Sequence, residues 1–365
     1  MNKLQIKGLI AIAALASVFS SCRKDRITPD PVDPVAPANG IYILNEGNFS
    51  RNNSSLSFFS IASQTTTPDI FKTVNGRGLG DTGNDAKIYG SKMYIAVNVS
   101  STIEVVDAKT AKSIKQIKLT NGGVDRQPRS IVFNKNKAFI SSYDGTVSVL
   151  DTASLTVDKY ITVGRNPEEM VISNGKLYVA NSGGLDYANP DKTVSVIDLT
   201  TLTEIKKVDI TSTNPINIAA DNYGDIYVLA YGTDYPSKPK LIIIDNKTDA
   251  VKTSKDIDAG YGTSFIVVGD NAYYITDAGK IAVYNVKTEV TKSENFITDG
   301  TIFKAPYALA VDPVTQQIYV TDAIDYSSNG RLYTFNDAGK NQDVNKKGYV
   351  MDTGINPGTI VLLSK

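Results

Sequence analysis

The sequence predicts an all-β protein, a seven-bladed β-propeller, because one pattern of about 40 to 50 residues recurs along the chain. The clearest copy runs from Lys176 to Ile210: an aromatic strand, a polar loop, an alternating strand that ends in Asp198, a Thr-rich turn and a further strand. The aromatic position of the first strand recurs at intervals of 39 to 52 residues, at Tyr42, Tyr94, Phe139, Tyr178, Tyr227, Tyr274 and Tyr319. A period of this length with several short strands per copy is typical of propeller blades.

Two further runs accompany each aromatic strand and bring the unit to four strands. An apolar run precedes it, as in Met170-Val-Ile-Ser173, and an alternating run that ends in Asp or Asn follows it, as in Val194-Ser-Val-Ile-Asp198. An Asp or Asn there is expected to hydrogen-bond the backbone of the next turn. No long stretch has helical periodicity, which agrees with an all-β fold.

The strongest copy, Tyr178-Val-Ala-Asn181 with Val194-Ser-Val-Ile-Asp198, resembles the YVTN repeat of YncE-like β-propellers. The resemblance extends over about residues 40–363. It implies the propeller fold. Since the repeated residues are structural, the motif implies no particular activity.

The two ends of the globular part are expected to complete one blade between them. The first aromatic strand, at Gly40, lacks its preceding apolar run, and such a run ends the chain at 357–363. Pairing of the two segments closes the ring and removes exposed sheet edges. We therefore expect one domain, residues 40–365, whose first blade is closed by the C-terminal strand.

The N-terminal segment has the pattern of a bacterial lipoprotein signal. Lys3 and Lys7 precede an apolar run too short to cross a bilayer, so residues 1–21 are predicted to be a signal peptide. Small residues directly precede Cys22 and resemble a lipobox, which implies lipidation of this cysteine. The alternative, a structural thiol, has no second cysteine to pair with. We expect membrane contact through the lipid anchor only.

Residues 22–39 are predicted to be the lipidated cysteine and a proline-rich spacer that holds the domain off the membrane. The charged start of this segment resembles the sorting segment of Bacteroidetes surface lipoproteins. The resemblance implies an outer-membrane protein at the cell surface. The periplasmic face is the alternative.

The composition excludes several kinds of chemistry. The chain has no histidine and no tryptophan, and Cys22 is its only cysteine. A Ser-His-Asp triad, a Cys-His pair and the usual zinc, copper and haem sites are therefore excluded. Removal of residues 1–21 leaves 36 basic and 38 acidic residues, a net charge of −2, which does not suit a nucleic-acid partner. We expect no enzymatic activity, no required cofactor and no metal.

Two acidic segments have the composition of a site, and each also has a simpler explanation. Glu168-Glu169 lie where a channel-facing strand begins, and close like charges raise a pKa as in an acid–base pair. Neighbouring residues on a strand point to opposite faces, so we favour two exposed loop acids beside Arg165. The segment Asp221-Asn-Tyr-Gly-Asp225 faintly resembles a calcium loop but lacks the terminal bidentate Glu, so we favour a hairpin turn.

The loops favour ligand binding. In a four-stranded blade, the loop between the second and third strands lies on the same face as the blade-to-blade connection. The long loops of this chain, near 45–53, 181–191, 231–239 and 322–331, are of that kind, and loops on a rigid scaffold usually carry binding residues. Tyr and Asn as mere turn residues are the alternative. The predicted ligand-binding residues are Arg77, Arg126, Arg165, Asn166, Tyr187, Tyr231, Tyr235, Tyr261, Tyr307, Tyr326 and Arg331.

The lipobox, the spacer and the seven-bladed repeat together resemble Bacteroidetes surface lipoproteins that capture cobalamin above a TonB-dependent outer-membrane transporter. The resemblance implies a non-enzymatic binder of a corrinoid or similar bulky solute, with such a transporter as partner. Two alternatives stay open: a hydrolase or lyase that uses carboxylates in the channel, and a scaffold that binds only proteins.

Overall fold

The computed structural model describes residues 36–233, 238–343 and 347–364, and its strands form seven four-stranded sheets arranged in a ring. Blade 1 contains β1 (Ala38–Asn45), β2 (Ser55–Ser60) and β3 (Thr65–Thr67), followed by the helix α1 (Ile70–Asn75). Blade 2 contains β4 (Gly83–Tyr89), β5 (Lys92–Val97), β6 (Thr102–Asp107) and β7 (Ser113–Lys118), followed by the hairpin of β8 (Thr120–Asn121) and β9 (Val124–Asp125). Blade 3 contains β10 (Pro128–Asn134), β11 (Lys137–Ser142), β12 (Thr146–Asp151) and β13 (Val157–Thr162).

The other four blades repeat this plan. Blade 4 contains β14 (Pro167–Ser173), β15 (Lys176–Asn181), β16 (Thr193–Asp198) and β17 (Thr203–Asp209). Blade 5 contains β18 (Pro215–Ala220), β19 (Asp225–Ala230), β20 (Lys240–Asp245) and β21 (Ala250–Asp256). Blade 6 contains β22 (Ile266–Val268), β23 (Asn271–Ile275), β24 (Ile281–Asn285) and β25 (Val290–Ser293). Blade 7 contains β26 (Pro306–Val311), β27 (Ile318–Asp322), β28 (Asn329–Phe335) and β29 (Met351–Ile355), and β30 (Pro357–Ser364) ends the chain.

The C-terminal strand closes the ring, which confirms the predicted seven-bladed fold. Strand β30 pairs antiparallel with β1, so the first sheet has the order β30-β1-β2-β3. Tyr42 lies opposite Val361, and Val361 and Leu363 pack into the core of blades 1 and 2. Strand β1 begins at Ala38, two residues before the predicted start of the domain.

The repeated aromatic residues join neighbouring blades. All seven are buried. The Tyr42 hydroxyl donates to the Ala108 carbonyl of blade 2 at 2.9 Å, and the Tyr227 hydroxyl donates to the Val286 carbonyl of blade 6 at 2.9 Å. An apolar ring with one polar end is suited to this position, because it fills the space between two sheets and also satisfies a turn carbonyl. The motif is therefore structural.

The Asp residues that end the third strands cap the turns that follow, as predicted. Asp198 Oδ1 accepts the backbone N–H groups of Thr200 and Thr201 at 2.9 and 2.7 Å. These hydrogen bonds stabilise the carboxylate and lower the pKa of Asp198. Asp221 Oδ1 likewise accepts the N–H groups of Tyr223 and Asp225, so the segment from Asp221 to Asp225 is the hairpin turn between β18 and β19.

The sequence pattern did not reveal α1. The helix has only six residues; the Asp69 side chain accepts the Lys72 N–H at its start, and Gly76 with φ +69° ends it.

Residues 1–35, with the predicted signal peptide and Cys22, lie outside the described residues. Within the described ranges, no helix has the length and hydropathy needed to span a bilayer.

Candidate functional site

The innermost strands of the seven blades surround a central channel. These strands are β30, β4, β10, β14, β18, β22 and β26. Antiparallel pairing places the loops between second and third strands on the same face as the blade connections. We call this side the long-loop face; it has loops 46–54, 182–192 and 323–328 and the described ends, 231–233 and 238–239, of a fourth loop.

The innermost strands are irregular where they start at the long-loop face. Six of them have a register shift there, between Pro128 and Ile131 in β10 and between Pro167 and Met170 in β14, for example. A β-bulge interrupts the alternation of side chains. Consecutive residues at this level therefore both face the channel.

Two adjoining chambers occupy the channel. The upper chamber has a volume of about 770 Å³, opens at the long-loop face and includes Tyr143, Tyr261, Tyr307 and Tyr326 in its wall. The lower chamber has a volume of about 490 Å³ and adds Asp85, Lys87, Glu169 and Asn217 together with an apolar wall. Residues that line both chambers are Glu46, Asn84, Arg129, Glu168, Ile216, Gly262, Ser264 and Gly358.

Arg129 and Glu168 form an ion pair at the junction of the two chambers. Arg129 Nε donates to Glu168 Oε2 at 2.8 Å, and the Tyr143 hydroxyl donates to Glu168 Oε1 at 2.8 Å. The Arg129 guanidinium also donates to Asn84 Oδ1 and lies 4.6 Å from the centre of the Tyr143 ring. Burial disfavours the charged guanidinium, but Glu168 and Tyr143 outweigh it and raise the pKa of Arg129.

Glu46 lies beside this pair, at the end of β1. Its Oε2 accepts the Tyr307 hydroxyl at 3.0 Å. Burial raises the pKa of Glu46 to about 7, against the opposing effects of Tyr307 and Arg129. Gly358 makes room for this side chain, because a Cβ there would lie 2.3 Å from Glu46 Oε1.

A second group of charges lies in the lower chamber. Lys87 Nζ is 3.4 Å from Asp85 Oδ1, and Asp85 Oδ2 accepts the Ile131 N–H at 2.8 Å. Glu169 Oε2 accepts the Ile218 N–H at 3.3 Å. Burial raises the pKa of Glu169 to about 7, with Lys87 opposing the shift.

The interpretation of Glu168 and Glu169 as exposed loop acids beside Arg165 is wrong. Both belong to β14 and line the lower chamber, and Glu168 is 6 % exposed. Side chains do not alternate here, because the register shift between Pro167 and Met170 turns both glutamates to the channel. The partner of Glu168 is Arg129, which the sequence prediction did not include.

Three of the predicted tyrosines gather at the channel mouth. Tyr261, Tyr307 and Tyr326 all line the upper chamber, and the rings of Tyr307 and Tyr326 meet edge to face with centres 5.8 Å apart. Tyr261 is 73 % exposed and contacts Tyr231 at 5.0 Å between ring centres. Tyr231, also a predicted ligand-binding residue, is buried in the core between blades 5 and 6 and lines neither chamber.

Three of the predicted arginines do not reach the channel. Arg77 pairs with the buried Glu104 at 2.9 Å, near the outer strand of blade 2. Arg126 is buried, pairs with Asp144 and stacks on Tyr160. Arg331 lies over the Tyr349 ring at 4.4 Å, in an outer groove of blade 7. Local partners engage all three, so the structure does not bring these predicted residues to the channel.

Three more of the predicted residues, Arg165, Asn166 and Tyr187, lie on the long-loop face away from the chambers. Arg165 is half exposed and lies 3.3 Å from Asp186 of loop 182–192. Asn166 also contacts this loop, since its Oδ1 accepts the Leu185 N–H. Tyr187 is 81 % exposed in the same loop, and neither chamber includes it. Tyr235 lies outside the described residues.

The sequence prediction missed most of the polar residues of the channel. These are Glu46, Asn84, Asp85, Lys87, Arg129, Tyr143 and Asn217. A usable signal was present. Proline begins the innermost strand of five blades, and the residue after it (Arg129, Glu168, Ile216, Tyr307 or Gly358) lines the channel each time.

The two raised carboxyl pKa values predict a pH effect on stability. Because the folded pKa exceeds the ordinary 4.5, protonated Glu46 and Glu169 stabilise the fold below about pH 4.5, and this contribution is lost as the pH rises through about 7. We expect the Glu46→Gln/Glu169→Gln variant to exceed the wild type in free energy of unfolding by about 1–3 kcal/mol at pH 8. Near pH 5 the difference shrinks. Urea unfolding at both pH values measures this, with exposed Glu294→Gln as control; lower stability of the double variant at pH 8 contradicts the assignment.

Within the described ranges, no three Asp, Glu, His or Cys side chains come together in a way that could hold a metal ion. The polar groups of the channel are instead paired carboxylates and cations, phenol hydroxyls and amides. Such a wall can hydrogen-bond a polar solute and stack against it.

The sequence comparison assigns the chain to a family by its propeller region. Residues 39–349 match the family model described as a domain of unknown function, DUF5074. The chain belongs to the DUF5074 family. The match includes every blade but ends before β29 and β30. No curated protein matches this DUF5074 chain.

The solved structures similar to this DUF5074 protein have low sequence identity to it. A quinonprotein alcohol dehydrogenase-like protein from Bacteroides thetaiotaomicron superposes with a TM-score of 0.61 and 16% identity, over 89% of this chain and 78% of that one. Hydrazine synthase from Kuenenia stuttgartiensis gives 0.57 and 17%, over 69% and 76%. BamB from Moraxella catarrhalis gives 0.51 and 16%, over 89% of both chains. At these identities the likeness supports the fold alone.

Proposed function

We propose that this DUF5074 protein is a non-enzymatic, solute-binding propeller of the cell envelope, and that its binding site is the mouth of the upper chamber. The observation that carries the proposal is the convergence of Tyr261, Tyr307 and Tyr326 around one opening. Tyrosine provides a rigid ring face and a hydroxyl, and such side chains are enriched where proteins bind ligands. The Arg129–Glu168 pair and Glu46 form the polar floor beneath them.

The chamber favours a bulky solute with a flat or ring-shaped part. Its volume of about 770 Å³ lies in the range of ligand pockets. Tyr261 and Tyr326 are 73 % and 54 % exposed, so each has a ring face available to a solute. The resemblance of the repeat and of the N-terminal segment to cobalamin-capturing lipoproteins makes a corrinoid the first ligand to test.

Removal of the exposed mouth tyrosines is expected to weaken solute binding. Tyr261→Ala and Tyr326→Ala should each reduce the affinity for cyanocobalamin by about ten- to a hundredfold, because a stacked ring at a binding site is typically worth about 1–3 kcal/mol. Isothermal titration calorimetry of the mature chain measures both affinities.

Tyr187→Ala is the matched control for this experiment. Tyr187 is equally exposed on the long-loop face but lies outside both chambers, so its removal should leave the affinity unchanged. Absence of heat with cyanocobalamin would refute the corrinoid as ligand. Equal losses in all three variants would refute the mouth as the site.

We propose further that Cys22 anchors the protein to the outer membrane by lipid, at the cell surface. Strand β1 starts at Ala38 on the face opposite the long loops, where the Ala38 N–H donates to Asp312 at 3.1 Å. The N-terminal spacer would therefore join the domain on the face opposite the long loops. The 16 residues from Cys22 to Ala38 reach about 50 Å when extended, so the long-loop face can point away from the membrane toward solutes.

The Cys22→Ser variant is expected to lose this attachment, because no other thiol in the chain can accept a lipid. Fractionation of cells should find the variant unlipidated and outside the membrane fraction. An unchanged membrane fraction would contradict the anchor. Digestion of the wild type by protease added to intact cells distinguishes the cell surface from the periplasm.

A TonB-dependent transporter is the partner that we propose for the long-loop face. Nine large hydrophobic side chains of the described residues are more than half exposed, and seven of them lie on this face. The seven are Phe49, Val124, Leu185, Tyr187, Tyr261, Ile302 and Tyr326. Exposed apolar groups gathered on one face favour protein contact. Photo-crosslinking from Phe49 or Ile302 should trap an outer-membrane protein, and crosslinking from Val314 on the opposite face should not.

A carboxylate-dependent hydrolase is the second candidate. The observation that favours it is the presence of two channel carboxyls, Glu46 and Glu169, with a pKa of about 7, which suits a general acid or base near neutral pH. Turnover of an ester or glycoside that Glu169→Gln abolishes would establish this candidate in place of simple binding.

A further inference from the structure

The lower chamber is a second potential site, and its charges are unbalanced. It contains four carboxylates, those of Glu46, Asp85, Glu168 and Glu169. Among the described residues that line it, the cations are Lys87 and Arg129. Arg129 is paired with Glu168 at 2.8 Å, and Lys87 lies 3.4 Å from Asp85. Glu46 and Glu169 therefore have no salt bridge of their own and only share the attraction of Arg129 and Lys87, which are paired with other acids.

Buried acids elsewhere in this protein have a paired cation or several backbone N–H donors, which Glu46 and Glu169 lack. Glu104 is paired with Arg77 at 2.9 Å, and Asp225 with Lys252 at 2.8 Å. Asp322, without a cation, accepts backbone N–H groups from three residues. Among the described residues, no Lys or Arg nitrogen forms a salt bridge with Glu46 or Glu169. Their hydrogen-bond donors are neutral and few. Tyr307 donates to Glu46, and Ile218 and Asn217 donate to Glu169.

The wall beside these carboxylates is apolar. Val132, Met170, Ile218, Val311 and Leu362 line the lower chamber together with the charged groups. Glu46 and Glu169 are partly buried, and a carboxylate withdrawn from water without a salt bridge is costly, so an entering cation gains from its attraction. The apolar wall gains from covering an alkyl chain. Lys87 does not oppose such a cation, because Asp85 neutralises it.

We propose that the lower chamber binds a small organic cation, a primary alkyl amine or diamine, whose ammonium group is held by Glu169 and Glu46. Its alkyl chain would lie against the apolar wall. A diamine can place one ammonium at each carboxylate, so it should bind more tightly than a monoamine. This site lies below the tyrosine mouth, shares Glu46 with the floor of the mouth and adds a second ligand class to the proposed solute-binding function.

Isothermal titration calorimetry at pH 8 tests the proposal on the mature chain. The probes are 1,4-diaminobutane, butylamine, butan-1-ol and butyrate. We expect both amines to bind, the diamine more tightly, and the alcohol and the carboxylate to give no heat. Glu169→Gln and Glu46→Gln should each weaken diamine binding at least about tenfold, since a hydrogen bond to a charged group is lost. Glu294→Gln, an exposed acid far from the channel, should bind the diamine as the wild type does.

Three results would overturn the proposal: no heat with either amine, equal binding of butan-1-ol and butylamine, or unchanged diamine affinity in both channel variants. Thermal melting of the variants checks that they fold, and the neutral Gln side chains leave the shape of the chamber intact. These results do not depend on the mouth site, because cyanocobalamin binding is tested with Tyr261→Ala and Tyr326→Ala.

Discussion

Deletion of residues 356–365 is expected to abolish the folded monomer. Strand β30 is the innermost strand of blade 1, and its loss exposes the edge of β1 from Ile41 to Leu44. It also removes Val361 and Leu363 from the core of blades 1 and 2. An exposed edge promotes aggregation. The loss of a core strand costs a large share of a total free energy of unfolding of about 5–15 kcal/mol.

Size-exclusion chromatography and thermal melting measure this effect. Val361→Asp keeps the chain length and places one charge opposite Tyr42, so it should lower the melting temperature strongly without removing the strand. A truncated protein that stays monomeric and melts at the wild-type temperature would contradict closure by the C-terminus.

Arg129→Met is expected to have the second-largest effect. It leaves Glu168, which is 6 % exposed, without its cation inside the channel wall. Breaking a buried ion pair from one side typically costs about 3–5 kcal/mol, because a charge remains buried and uncompensated. Chemical unfolding of the variant measures the loss.

Two variants distinguish this cause from a general loss of packing. The double variant Arg129→Met/Glu168→Met should regain most of the lost stability, since an apolar pair leaves no buried charge. Arg165→Met removes the same group from an exposed pair with Asp186 and should cost less than about 1 kcal/mol. Equal losses for Arg129→Met and Arg165→Met would show that the channel does not enclose the pair as described.

The fold could be predicted from the sequence because each blade carries its own local signals. Tyr178 hydrogen-bonds to the next blade along the chain, and Asp198 hydrogen-bonds to its own turn. Because both contacts are local, the spacing of such residues reveals the repeat. Ring closure was also predictable, since the run at 357–363 lacked a partner elsewhere. The helix α1 was missed because six residues are too few to show a helical period.

The site was only partly predictable. Tyr261, Tyr307 and Tyr326 could be predicted to lie together because they belong to the loops and blade connections of one face, and all three line the upper chamber. Glu168 and Glu169 were misjudged because the β-bulge at the start of β14 cannot be read from side-chain alternation.

The predicted arginines lie away from the channel for a different reason. Position on a blade connection does not reveal whether an acid nearby in space already holds the side chain, as Glu104 holds Arg77. Arg129 and Glu168 are 39 residues apart and meet only in the folded ring. Alignment of the repeats on the proline that begins an innermost strand, as at Pro128 and Pro167, marks these channel positions.

Hydrogen–deuterium exchange with and without saturating cyanocobalamin tests the location of the solute site most directly. The account predicts slower exchange in the segments that surround the mouth, 258–264, 303–307 and 323–328. It predicts unchanged exchange in the turns of the opposite face, at 134–137 and 173–176. Protection confined to the opposite face, or no protection at the mouth with the ligand bound, would contradict it.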